Sequence, residues 1–184
     1  MKGRPAMAGL QEMGPEELRS RLLQFDQAVA LRHPGQTFRL VLVGGGAMVL
    51  LGYLQRTTLD LDVLAAPAEL RGLMAEYDLS GQVATYEDHF AYNLQDRLVP
   101  LGLRTVAVEC YAASLEDLVA SKLNSDRASD AADVRRPGVL VGLDWAKLAE
   151  VAQEMRGSSL NERRYRLFRQ NFERYVKECG PCAG

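Results

Sequence analysis

Hydrophobic residues recur at helical spacing in some segments of this chain and form short apolar or alternating runs in others. The first helical segment begins at Pro15, a favoured first position of a helix, and ends at Pro34. Short runs rich in leucine, valine and alternating residues predict strands over residues 38–43, 59–64 and 103–110. Between them the pattern predicts helices over 47–53 and 68–77 and a short strand over 82–85.

From Ser114 onward the pattern is helical throughout. Ser114 with Asp117, and Ser159 with Glu162, each form a motif typical of a capping box at a helix start. Pro137, followed by glycine, is interpreted as a helix end. The first predicted helix of this part begins at 114, two more cover about 129–135 and 144–155, and the last runs from the capping box at 159 to about 177.

These patterns predict an α+β fold with two parts. Residues 1–112 form an α/β half, and residues 113–184 form a helical half. Each half is small, so we expect the two to pack as one unit. The chain has 184 residues, of which 47% are hydrophobic and 25% charged. These values are ordinary for globular proteins and exclude disordered and fibrous classes.

Charge is distributed unevenly along the chain. The formal net charge is −2, which excludes a uniformly basic surface for nucleic acid. Residues 156–177, however, contain seven basic and two acidic residues, a local net charge of +5. A basic helix face of this kind can contact RNA phosphates or an acidic partner. The alternative interpretation is an ordinary solvated helix face.

The apolar runs are short and interrupted by glycine, so the sequence predicts no membrane contact. No continuous apolar segment follows the charged N-terminus, and three cysteines are an odd number that indicates no disulfide framework. These features predict a cytoplasmic protein.

Two carboxylates lie two positions apart in the predicted strand 59–64. Side chains alternate along a strand, so Asp60 and Asp62 point to one face, with Cα atoms about 6.6 Å apart. Their mutual repulsion is relieved when a hard divalent cation binds between them, and Mg²⁺ prefers such oxygen ligands. The alternative is an acidic strand face in solvent.

A glycine turn separates the predicted strand 38–43 from the next helix. Gly44, Gly45 and Gly46 allow the backbone to approach a ligand closely, and a helix N-terminus offers free N–H groups to phosphate. The alternative is a tight turn with a structural role only.

Lys122 lies in the middle of the apolar arc of its predicted helix, where lysine is rarely buried without a partner. It is either a fixed cation that faces phosphates or carboxylates, or a side chain whose amine reaches solvent. Downstream, Asp130 and Asp133 are three residues apart and share a helix face. His89 and Tyr92, in a stretch without clear pattern, are candidates for lining a substrate cleft.

The order of these motifs resembles the nucleotidyltransferase superfamily that has the DNA polymerase β palm fold. The matching segments are residues 43–47, Gly52 and residues 56–63, with Gly45 where many members have serine. The run 117–123, followed by Arg127, Asp130 and Asp133, resembles the second block of the family. The closest resemblance is to small bacterial nucleotidyltransferase-like proteins and toxins of the abortive-infection (AbiEii) type. It implies a palm with a small mixed sheet flanked by helices, followed by a helical region.

The resemblance implies a role for each matching residue. Asp60 and Asp62 would hold one or two Mg²⁺ ions and act as catalytic carboxylates. A third metal-binding carboxylate is expected from a neighbouring strand, and Glu109 is the candidate; its alternative is an exposed strand acid. The nucleotide would be bound by Gly44, Gly45, Gly46, Arg56, Thr58 and Lys122. Lys122 would neutralise charge, and Asp130 would orient it or assist proton transfer, although a structural Lys122–Asp130 ion pair is the competing account.

The implied activity is Mg²⁺-dependent transfer of NMP from an NTP to an acceptor hydroxyl. The acceptor would be a tRNA, a protein hydroxyl or a small molecule, and the chain would be the toxin of a toxin–antitoxin pair with an antitoxin protein as partner. The alternative is a catalytically inactive protein of the same fold, serving as a binding module or as a toxin–antitoxin partner.

Overall fold

The computed structural model describes residues 12–64, 66–81, 89–158 and 161–181. Its helices are α1 (Pro15–Arg32), α2 (Gly44–Leu50), α3 (Arg71–Glu76), α4 (Leu115–Leu123), α5 (Ala128–Asp133), α6 (Pro137–Gly142), α7 (Trp145–Ser158) and α8 (Glu162–Cys179). Its strands are β1 (Phe38–Val43), β2 (Leu61–Leu64), β3 (Leu79–Ser80), β4 (Val99–Pro100) and β5 (Val108–Ala112). Short 3-10 turns lie at Ala68–Leu70 and Tyr92–Arg97. The predicted strand over 82–85 and Ser159 of the second capping box lie outside the described residues.

The described strands form one mixed sheet in the order β3-β2-β1-β5-β4. The central strand β1 is antiparallel to β2 and parallel to β5, and β3 is parallel to β2. Val43, the last residue of β1, lies opposite Asp62. This register brings the glycine turn that follows β1 beside the acidic end of β2. Helices in the C-terminal part complete the α+β fold, as the sequence predicted.

Two helix starts follow directly from local sequence. At α1, Pro15 occupies the first turn, where no backbone hydrogen bond is lost, and the N–H of Gly14 donates to Glu17 Oε2 at 2.6 Å. At α4, the Ser114 hydroxyl accepts from the N–H of Asp117 at 3.1 Å. Both predicted starts are confirmed because each depends on contacts within four residues of chain.

Strand β5 corrects the predicted strand over 103–110. Both carboxylate oxygens of Asp26, on α1, accept hydrogen bonds from the backbone N–H groups of Val106, Ala107 and Val108. Those groups are therefore bound by a side chain rather than by a neighbouring strand at the start of the run, and β5 begins only at Val108. The helix predicted from residue 47 also differs, since α2 begins at Gly44.

Pro137 begins a helix, and its interpretation as a helix end is wrong. It occupies the first turn of α6, the one place in a helix where proline is favoured. The next residue, Gly138, lies so close to Tyr53 that an added Cβ would be 2.6 Å from the tyrosine carbonyl oxygen. At α8 the N-cap is Asn161, whose Oδ1 accepts from the N–H groups of residues 163 and 164.

One cluster of buried hydrophobic side chains includes residues from both sides of the predicted boundary at 112. Leu22 and Phe25 of α1 belong to it, as do Leu118 of α4 and Phe168 of α8. The α2 helix contacts α4, and α4 in turn contacts α7 and α8. The boundary itself stays a prediction. In the described part of the chain no helix combines the length and the apolar character that crossing a bilayer requires.

Candidate active site

A cleft of about 410 Å³ opens where the end of β1 and the start of β2 meet the end of α4 and the start of α5. It brings together nearly all of the predicted site residues, which come from separate segments of the chain. Those that line it are Gly44, Gly45, Gly46, Arg56, Thr58, Asp60, Asp62, Lys122 and Asp130. The site is therefore assembled across the interface between the sheet and the C-terminal helices.

Asp60 and Asp62 form the acidic side of the cleft. Asp62 is half-buried in β2, and Asp60 is exposed just before the strand begins. Burial, reinforced by the charge of Asp60, raises the pKa of Asp62 to about 6. Lys122 and Arg127 oppose this increase without cancelling it. The pair thus carries negative charge that the surrounding residues leave partly uncompensated, which favours a bound cation.

The glycine turn lies directly against these carboxylates. Gly44 has φ +69, and a Cβ added there would lie 2.6 Å from Asp62 Oδ2. A Cβ at Gly46 would lie 3.0 Å from the carbonyl oxygen of Asp60. Glycine is needed at Gly44 for two independent reasons, the left-handed backbone and the close approach of a carboxylate.

Replacing Gly44 with alanine is expected to displace the Asp62 carboxylate and to lower the unfolding free energy by about 2 kcal/mol or more. Gly35→Ala is the matched control, because Gly35 has φ +76 but nothing lies within 4 Å of its added Cβ. The control should cost only the backbone strain, about 1 kcal/mol. Urea unfolding of both variants makes the comparison, and equal losses would show that contact with Asp62 is unimportant.

Arg56 occupies the space beside Gly45. A Cβ at Gly45 would lie 2.5 Å from Arg56 Nη2. The same nitrogen donates to Asp133 Oδ2 at 2.9 Å, which holds the guanidinium at the cleft wall. The glycine at this position therefore makes room for the arginine. This contact was beyond sequence reasoning, because Arg56 and Asp133 are far apart in the chain.

Lys122 is buried within an ion-pair network. Its Nζ donates to Asp130 Oδ1 at 2.6 Å and to Asp133 Oδ2 at 2.9 Å. Arg127 Nε donates to the other oxygen of Asp130 at 2.8 Å. Burial favours the neutral carboxyl of Asp130, but the hydrogen bond and charge of Lys122, with Arg127, leave its pKa lowered overall. The Lys122–Asp130 ion pair predicted as a structural alternative is thus present, and it lies in the cleft wall.

Thr58 and Glu109 have different positions relative to the cleft. Thr58 lines it, with its Oγ1 donating to the carbonyl oxygen of Asp60 at 3.3 Å. Glu109 does not reach it: this residue is exposed and pairs with Arg39 at 3.7 Å. The strand register explains this, since Glu109 lies opposite Arg39, four residues or about 13 Å along β1 from Val43 and Asp62.

The cleft also contains residues that the sequence pattern did not single out. Ser80 lies opposite Asp62 on β3, and three serines also line the cleft: Ser121 within α4, Ser125 in the turn after it and Ser129 at the start of α5. Their positions depend on how α4 and α5 meet, which the local pattern does not give. His89 lines the cleft, as the sequence suggested, whereas Tyr92 is 71% exposed and is not among the lining residues.

A glycine turn beside paired carboxylates on a mixed sheet, facing a buried lysine, is the arrangement expected of a nucleotidyltransferase. A comparison with protein families agrees with it, because residues 20–179 match the model described as "Nucleotidyltransferase of unknown function (DUF6036)". The chain belongs to this nucleotidyltransferase family. None of the curated proteins and none of the solved structures compared with the chain matches it. The narrower resemblance to AbiEii-type toxins stays a prediction.

Proposed function

We propose that this protein transfers NMP from an NTP to a hydroxyl of an acceptor with the help of Mg²⁺. One observation carries the proposal: paired carboxylates and three basic side chains face the same cleft. Asp60 and Asp62 line it together with Arg56, Lys122 and Arg127. This combination suits a metal–triphosphate complex, in which the metal binds carboxylates and the phosphates bind basic side chains.

Asp60 and Asp62 are the residues that would hold Mg²⁺. Among the described residues no group of three or more histidine, cysteine, aspartate or glutamate side chains is placed to bind a metal. Two carboxylates nevertheless fit Mg²⁺, which usually takes one or two protein carboxylates and completes its coordination with water and substrate phosphates. The raised pKa of Asp62 supports a cation at this position. When bound, the metal would supply charge neutralisation on the triphosphate and activation of the acceptor hydroxyl.

The basic side chains of the cleft would bind the triphosphate and stabilise charge on the leaving pyrophosphate. Lys122 is held rigidly by two carboxylates, so its ammonium group needs little reorganisation to receive that charge. Arg56 can bind a phosphate through its remaining guanidinium donors, beside Gly45.

Asp130 would act as the residue that orients Lys122. Both of its carboxylate oxygens already accept hydrogen bonds, one from Lys122 and one from Arg127. Its lowered pKa makes it a weak base. These contacts favour the positioning role over proton transfer, the other role that the resemblance implies.

Labelled NTPs provide the direct test. The wild-type protein with Mg²⁺ should transfer the α-phosphate label to an acceptor in a cell extract. Asp60→Asn should transfer about 10²- to 10³-fold less, because a ligand of the metal that neutralises the reacting phosphate is lost. Glu109→Gln is the matched control, since Glu109 is an acidic side chain of the same sheet outside the cleft. This control should keep wild-type activity. If it lost activity, Glu109 would again be a candidate ligand of the metal.

Equal labelling by wild type and Asp60→Asn would overturn the proposal. Titration calorimetry distinguishes the enzyme from the alternative, a catalytically inactive protein of the same fold. Such a binding module is expected to show no Mg²⁺-dependent binding of NTP. The proposed role as the toxin of a toxin–antitoxin pair is supported by the AbiEii-type resemblance alone. It predicts that expression of wild type, but not of Asp60→Asn, arrests bacterial growth.

A further inference from the structure

One face of α8 carries a row of arginines next to the candidate active site. At 100° per residue, Arg163, Arg164 and Arg174 lie within about 60° of Leu167 on the helix circumference. Phe168 and Tyr175, at about 80 to 100° from Leu167, mark the neighbouring buried side. We refer to the surface around Arg163, Arg164 and Arg174 as the arginine face.

The arginine face continues into the cleft. Three shallow hollows lie along it, and all three are lined by Asp126 and Leu167. One of them also contains Arg164, together with Ser125 and Arg127, which line the active-site cleft as well. A long ligand lying along α8 would therefore enter the cleft beside Arg127, one of the basic residues that line it.

The contacts of Asn171 hold this surface in place. Its Nδ2 donates to the carbonyl oxygens of Leu123 and Ser125, at 2.9 and 3.3 Å, in the turn between α4 and α5. That turn joins the helix of Lys122 to the helix of Asp130. The arginine face is thus tied to the segments that build the catalytic centre.

The arginines of this face are available to a ligand. Among the described residues, Arg163, Arg164 and Arg174 form no ion pair with an acidic side chain, whereas Arg169, elsewhere on α8, is paired with Glu173 at 2.9 Å. Asp126 lines the hollows with these arginines, and Glu162 and Glu173 directly precede Arg163 and Arg174 in the chain. In the part of the chain that the structure describes, none of these three acids forms an ion pair with the arginine face.

We propose that the arginine face binds the phosphate backbone of a nucleic-acid strand, whose terminal hydroxyl then reaches the cleft as the acceptor. Arginine is suited to this because its planar guanidinium binds phosphate through two hydrogen bonds. Arg163 and Arg174 are eleven residues apart, or about 16 Å along the helix, which spans about five phosphates of a stacked strand. The role as acceptor rests on the proposed nucleotidyl transfer, whereas binding of the strand does not.

A nucleic acid fits this surface better than an acidic protein does, because the arginine face continues into a cleft that is already suited to phosphates. Among the described residues, these hollows are lined by no phenylalanine, tyrosine or tryptophan on which a base could stack, and His89 is their one aromatic ring. Binding should therefore depend strongly on salt and weakly on base sequence.

Fluorescence anisotropy of labelled single strands of about 20 nucleotides, RNA and DNA of one sequence, tests this in EDTA and without NTP. The test variant is Arg163→Gln/Arg164→Gln/Arg174→Gln. The matched control, Lys147→Gln/Arg156→Gln/Arg169→Gln, removes the same charge from other surfaces. The test variant should bind about tenfold or more weakly, and its plot of log affinity against log salt should be shallower by about 2, because three arginines no longer neutralise phosphates. The control should lose much less affinity.

Equal losses in the two triple variants would overturn the proposal, because net charge alone would then explain binding. So would the absence of binding by the wild type, or displacement of the strand by polyglutamate as efficiently as by unlabelled nucleic acid, which would indicate an acidic protein partner. The comparison of RNA with DNA identifies the kind of strand. Asp60→Asn should bind strands like wild type, so failure of nucleotidyl transfer and failure of this surface give different results.

Discussion

Replacing Lys122 with methionine is expected to lower the unfolding free energy by about 3 to 5 kcal/mol. Methionine matches the length of the lysine stem, so the loss of packing is small. The charge, however, is removed from Asp130 and Asp133, both of which are buried. Asp130 keeps Arg127 and Asp133 keeps Arg56, but both arginines are much more exposed than Lys122. The two buried carboxylates together therefore lack one buried positive charge, which opposes folding.

Urea denaturation near neutral pH measures the effect. Lys147→Met is the control, since Lys147 is exposed and its contact with Asp144 is 3.6 Å long; its cost should stay within about 0.5 kcal/mol. Adding Asp130→Asn to Lys122→Met should recover part of the loss, because one buried charge is removed. A cost for Lys122→Met no greater than that of the control would show that the network contributes little to folding.

Asp62→Asn is expected to separate stability from function. Transfer of label should decrease by about 10²- to 10³-fold, because the variant lacks a ligand for the metal and its field on the phosphates. In EDTA, the same variant should be more stable than wild type by about 1 to 3 kcal/mol near neutral pH. The reason is that asparagine removes a half-buried charge which desolvation and Asp60 both oppose.

The pH dependence of this gain has a defined sign. Folding raises the pKa of Asp62 from 3.8 to about 6, so the folded state binds this proton more tightly than the unfolded state. The contribution of the protonated residue is fully present below about pH 4 and is lost as pH rises from there through 6. Thermal unfolding in EDTA should therefore show wild type and Asp62→Asn close together below about pH 4, with a difference that grows up to about pH 6 and is constant above it.

Addition of Mg²⁺ provides the complementary measurement. It should stabilise wild type by binding the folded state and should stabilise Asp62→Asn much less. If Asp62→Asn were less stable than wild type in EDTA at neutral pH, the carboxylate would be serving a structural role instead. Such a result would weaken the assignment of this residue to the metal site.

The sheet shows where local pattern is sufficient and where it is not. Strand β1 has the predicted limits, because its side chains are apolar enough to mark a buried strand by themselves. Strands β3 and β4 have two residues each, too few for any alternation to be recognised. The start of β5 depends on Asp26, about 80 residues earlier in the chain, which takes the backbone N–H groups that the pattern assigned to a strand.

The candidate site divides in the same way. Asp60 and Asp62 both line the cleft, as the alternation predicted, although β2 begins only at Leu61, between them. Lys122 was predictable because a charge in an apolar helix arc requires a partner. Glu109 also lies in an alternating strand, which made it a candidate. The register of β5 against β1, however, places it beside Arg39, away from the cleft.

Local chemistry, read from neighbouring residues, thus defined the starts of α1 and α4, the central strand, the glycine turn and the paired carboxylates. Contacts between distant segments defined the rest: Arg56 against Gly45 and Asp133, and the arginine face of α8 beside the cleft. The physical reason is the range of the interactions. Alternation, capping and helical spacing act over a few residues, whereas ion pairs and strand register depend on which segments the folded core brings together.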